Sequence, residues 1–78
     1  MKEVDFVVIK NGKKCFIQAA YVMESEETIN REFSAFSPIK DASPKYVLSL
    51  DTIDMSRNGI THLNIIDFLT HKKDLFLS

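Results

Sequence analysis

From Lys2 to Lys10 the chain reads KEVDFVVIK, a run rich in β-branched and aromatic residues, and the polar stretch KNGKK interrupts it. A second apolar run, KKCFIQAAYV, extends from Lys13 to about Val22. Asn11-Gly12 between two such runs predicts a hairpin, because a type I′ turn needs positive φ at both central residues. The pattern then changes period. In ESEETINREFSAFSPIK, Ile29, Phe33 and Phe36 recur at i, i+4 and i+7, one stripe of a helix. Ser25 is placed as its N-cap, Glu26 and Glu27 sit in the first turn, and Glu27 is spaced to pair with Arg31. Ser37-Pro38 ends the helix, since proline disfavours the α conformation in its predecessor.

KYVLSL (45–50) reads as a third strand, DTIDMSRNG as a polar loop and ITHLNII (60–66) as a fourth strand. A short terminal helix is expected near Asp67, capped by Asn64 or Asp67, before a charged tail, HKKDLFLS, that is expected to fray. The order β-β-α-β-β-(α) predicts an α/β (mixed α+β) fold with a small mixed sheet of about four strands. The stretch from Ala20 to Lys45 is long enough for a crossover, which sets strand three parallel to strand two with a right-handed connection. The first two strands are apolar on both faces, as in a sheet covered on both sides. One substantial helix leaves one of those faces poorly covered.

A two-residue turn also sets register. Lys10 faces Lys13, Val8 faces Cys15 and Phe6 faces Ile17, so Asp5 falls opposite Gln18 and Glu3 opposite Ala20. One face then carries Glu3, Asp5 and Gln18, followed by Val7, Ile9 and Phe16. The other carries Val4, Phe6, Val8, Cys15, Ile17, Ala19 and Tyr21. Two carboxylates and an amide oxygen are hard ligands suited to magnesium or manganese, which makes Glu3 and Asp5 candidate metal ligands. The same residues also suit a simpler role, with Asp5 and Gln18 hydrogen-bonding each other or a helix terminus. A bulged turn would shift the register by one and dissolve the cluster.

With 78 residues the chain is one small domain or a piece of one, and its stability margin is thin. A hydrophobic content of 45% with six phenylalanines is ample for a core. A net charge of −1 gives no global attraction to nucleic acid or an anionic membrane. A local basic patch remains: Lys10, Lys13 and Lys14 cluster at the hairpin tip, with Lys72 and Lys73 near the end. These are either phosphate contacts or solvated turn lysines. Cys15 is the only cysteine, which rules out an internal disulfide and a thiolate zinc site and reads as a buried hydrophobe. His62 has no second His or Cys near it in sequence and does not read as a metal ligand. Tyr21 lacks the basic-aromatic series that would make it a base-stacking residue. No apolar run reaches the ~18 residues of a membrane span and no signal peptide is visible, so a cytoplasmic setting is expected.

The segments EVDFVV, GKKCFIQAAY, ETINREFSAFSPIKDASPKYVLSLD and GITHLNIIDFL resemble the C-terminal domain of bacterial and archaeal AAA-type ATPases. That domain of unknown function has a restriction-endonuclease-like fold, and the resemblance runs from Glu3 to about Leu69. It implies a truncated restriction-endonuclease-like core. Such nucleases carry an Asp on one strand and a Glu-x-Lys on the next, with carboxylates holding magnesium and the lysine orienting water. By position Asp5 matches the Asp, Gln18 the Glu and Ala20 the Lys, on the face that the hairpin register selects. Gln18 lacks the charge and Ala20 the amine. Each such loss costs ~10²–10⁴ in rate, so Glu3, Asp5, Gln18 and Ala20 read as a degenerate nuclease site without catalytic residues.

The chain contains no G-x-x-x-x-G-K-[ST] loop, so ATP is expected only in the parent's other domains. The resemblance implies a single C-terminal fragment of a longer ATPase, with a helix and strand upstream of Glu3 and with Met1 foreign to it. The expected function is a non-catalytic accessory or interaction domain without a cofactor of its own. Its expected partners are the N-terminal ATPase domains of the same parent chain, with a homo-oligomer formed through the apolar surface and unpaired edge that truncation leaves. The alternatives are a magnesium-dependent nuclease using Glu3, Asp5 and Gln18, or a nucleic-acid-binding domain that does not cleave.

Overall fold

The computed structural model describes residues 5–70. Asn11 (φ 52°) and Gly12 (φ 79°) both adopt the left-handed conformation that the tight turn requires. They join β1 (Phe6–Lys10) to β2 (Lys13–Ala19), with Lys10 opposite Lys13, Val8 opposite Cys15 and Phe6 opposite Ile17. The register is the one the sequence predicts. α1 (Glu26–Ser34), β3 (Lys45–Ser49), β4 (Thr61–Asn64) and α2 (Ile65–Leu69) follow. The result is a mixed α+β fold with one four-stranded sheet in the order β1-β2-β3-β4. β1 and β2 are antiparallel and β2 and β3 parallel, as expected of a crossover through α1; β4 also runs parallel to β3.

α1 starts where its cap places it: Ser25 is extended (φ −136°, ψ 157°) and its hydroxyl accepts the Thr28 N–H at 3.1 Å. Ile29 and Phe33 point into the sheet, and Phe36 joins them just beyond the helix. With Phe16, Met23 and Val47 they form one core layer. Burying each phenylalanine contributes on the order of 2–3 kcal/mol. On the opposite face Cys15, Ile17, Tyr46 and Leu48 pack beneath Leu63, Ile65 and Phe68. The short α2 therefore covers the face that the sequence reading left open. Arg31 makes its ion pair with Glu32 (3.7 Å) rather than with Glu27.

Two strands stop more than one residue earlier than expected. β2 stops at Ala19, and Tyr21 is 79% exposed instead of lying on the apolar face. The cause is the Asp51 carboxylate, which accepts the Met23 N–H at 2.9 Å and draws the chain inward so that Met23, not Tyr21, is buried. β4 stops at Asn64 rather than Ile66, because the Asn64 side chain accepts the N–H groups of Ile66 (2.9 Å) and Asp67 (3.1 Å) and starts α2. Within the polar loop, Asn58-Gly59 forms a second positive-φ turn, across which Arg57 and Ile60 exchange backbone hydrogen bonds of 3.1 and 2.9 Å.

Candidate functional site

At the open end of the hairpin Asp5 and Gln18 meet, though not side chain to side chain. The Asp5 carboxylate accepts the Ala19 N–H at 3.1 Å, and the Gln18 amide oxygen accepts the Asp5 N–H at 3.2 Å. This reciprocal pair closes the ladder as a capping box closes a helix end. The other end of the Gln18 amide donates to Glu32 Oε1 at 3.0 Å and ties the sheet to α1. Ala20 is partly buried and packs against the core beneath α1. Glu3 lies outside the described residues.

A divalent cation fits this arrangement poorly. Both ends of the Gln18 amide are committed, and Asp5 holds a backbone N–H with one carboxylate oxygen. Among the described residues no three His, Cys, Asp or Glu side chains converge as metal ligands. The hairpin-tip lysines also divide. Lys10 and Lys13 are exposed, whereas Lys14 pairs with Asp41 at 2.6 Å and stands over the Phe16 ring. The Lys14 ammonium, helped by Ser43, holds the Asp41 carboxyl well below the usual carboxylate range. Lys72 and Lys73 lie outside the described residues.

A second polar cluster joins the carboxyl end of β3 to the first half of β4. His62 is level with Val47 and Gln18 across the sheet, which turns it toward the α1 side. Its Nε2 is 2.7 Å from Ser49 Oγ, and Ser49 Oγ is 2.7 Å from Asp51 Oδ2. These are the residue types of a hydrolase triad, but the proton order is wrong for one. The Met55 N–H donates to His62 Nδ1 at 3.2 Å, and the tautomer that accepts it carries the ring proton on Nε2, facing Ser49. The Ser49 hydroxyl donates its hydrogen bond to Asp51 and also accepts the Asp51 N–H at 3.1 Å. The hydroxyl is thus held by Asp51 and not by the histidine, and Ser49 is 0% exposed.

Electrostatics agree with a neutral ring. Burial lowers the His62 pKa from its ordinary 6.5, against the opposing pull of the Asp51 and Asp54 charges. Burial works to raise that of Asp51, but the Ser49 hydroxyl and the Met23 N–H outweigh it and hold it below 3.8. An open cleft of ≈ 270 Å³ beside the cluster is lined by Asp51, Asp54, Asn64 and Asp67 among others.

Glu32, Ser49 and Asp51 are the polar residues that the sequence reading missed. Glu32 leaves no local signal. The Ser-x-Asp spacing at the end of β3 was the available hint for the other two. Neither protein-family models, nor curated proteins, nor solved structures yield a match to this chain. Among the described residues no helix is long and apolar enough to cross a membrane.

Proposed function

We propose that this chain is a non-catalytic accessory or interaction domain carrying a degenerate nuclease-like site, and that its parent is an AAA-type ATPase. The observation that carries the reading is the use made of Asp5 and Gln18. Each binds backbone at the other's strand, and Gln18 spends its remaining donor on Glu32. Groups that a nuclease keeps open for metal and water are here used to hold the end of a sheet. Ala20, the position of the missing lysine, is core. The link to an ATPase rests on the sequence resemblance alone.

The test is a titration of Mg²⁺ or Mn²⁺ to about 10 mM, followed by the amide resonances of Asp5 and residues 17–20 and by cleavage assays on DNA and RNA. The expected outcome is no site-specific shift and no cleavage. Localised shifts accompanied by cleavage that Asp5→Ala abolishes would overturn the reading. The ATPase link is checked separately, by whether the coding sequence upstream of this chain encodes a P-loop.

A further inference from the structure

The two faces of the sheet are covered over β2, β3 and β4, but β1 is largely bare, with only Val8 half-buried against the α2-side core. Phe6, Val7 and Ile9 are 57%, 52% and 69% exposed. β1 is also an edge strand, with no described strand on its outer side. Natural edges are protected by proline, bulges, inward charges or extreme shortness. β1 has five residues, FVVIK, in unbroken register with β2 and with no charge before Lys10.

The direction of its free backbone groups follows from the neighbouring strand. Phe16 and Ala20 send their N–H groups toward β3, to Pro44 O at 2.9 Å and Leu48 O at 2.8 Å. Lys13, Cys15 and Ile17 therefore turn theirs toward β1, where they meet Lys10, Val8 and Phe6. The N–H and C=O groups of Val7 and Ile9 point out of the sheet.

We infer that this edge pairs antiparallel with β1 of a second copy of the chain, about a two-fold axis normal to the sheet. In the register that satisfies the outward groups, Val7 faces Ile9 of the second copy and Val8 faces Val8. On the α1 side, Val7 and Ile9 of both copies form one apolar cluster; on the other side, Phe6 and Val8 do so. Charge selects this direction. Asp5 precedes the strand, while Lys10 and Lys13 flank the turn at its far end. Antiparallel pairing brings each Asp5 to the other copy's lysine tip, whereas parallel pairing sets the lysine tips side by side. The isologous contact also closes, leaving no second β1 edge for a further copy. The inference stands apart from the proposed function, since it does not use the state of Gln18 or Ala20.

Sedimentation of the full chain from about 1 µM to about 1 mM tests it, and a monomer–dimer equilibrium that weakens with salt is the expected result. Val7→Lys should weaken the dimer at least about tenfold while circular dichroism stays native, with Ile9→Lys as the second variant. Ile53→Lys, on an equally exposed residue away from β1, should leave it unchanged. In a mixture of ¹⁴N- and ¹⁵N-labelled wild-type chains, a zero-length carbodiimide should join Asp5 to Lys10 or Lys13 across isotopes. A monomer throughout the range, a dimer indifferent to both lysine variants, growth beyond a dimer, or absence of the mixed-isotope crosslink would overturn the inference.

Discussion

Two polar clusters lie at the same end of the sheet, one at the β1–β2 edge and one where β3 meets β4. The Asp5–Gln18 cluster pairs a carboxylate with an amide across the hairpin, and the Ser49–Asp51–His62 cluster has the residue types of a hydrolase. Both instead satisfy backbone. The difference lies in what surrounds them. The edge cluster is open to water, which can replace any lost hydrogen bond. The β3–β4 one includes fully buried Ser49 and 5%-exposed His62, which water reaches far less readily. Residue type is thus a weak guide to chemistry, and the direction of each proton is a better one.

The comparison predicts unequal costs. His62→Leu removes one of the three hydrogen bonds of Ser49 and the acceptor of the Met55 N–H, and should cost about 2 kcal/mol in urea unfolding, a large share of what a small domain possesses. Acidification should act on the same cluster less severely. The folded His62 pKa lies below 6.5, so the unfolded chain binds the proton first and stability falls as pH drops below about 6.5. Asp51, also lowered, adds a further loss only as pH falls below 3.8. Stability measured between pH 8 and 5 should decline in the wild type and stay flat in His62→Leu.

The edge cluster should respond more weakly. Gln18→Leu removes the bridge between Asp5 and Glu32 and should cost about 1 kcal/mol, because both partners remain partly solvated. Asp5→Ala should cost roughly half of that, with faster hydrogen exchange at the Ala19 amide as its local signature. Equal penalties for His62→Leu and Gln18→Leu would show that burial is not what separates the two clusters.

Much of the edge was legible in advance. Asn11-Gly12 determines a turn, the turn determines register, and register brings Asp5 to Gln18. Which atoms those two residues bind was not legible, because Glu32 reaches Gln18 only through the docking of α1. The Ser49–Asp51–His62 cluster was less visible still. His62 stood alone in the sequence, and its partners arrive from the end of β3 and from the Met55 loop, thirteen and seven residues away. Asn58-Gly59 shows a different kind of miss, a turn signal hidden inside a stretch read only as polar.

By itself the sequence determined what nearest neighbours decide: two Asn-Gly turns through their positive φ, the Ser25 cap, and the alternation that gives β2 two apolar faces. These follow from short-range sterics and hydrogen bonding, which act before the chain is packed. Only the tertiary structure decided which strand is the uncovered edge, which polar groups are buried, and where each of their protons points. Those depend on residues distant in sequence competing for the same few hydrogen bonds. Asp5 and Gln18 could be placed opposite one another from the sequence, but the packing of α1 and the edge of the sheet determined what they hold.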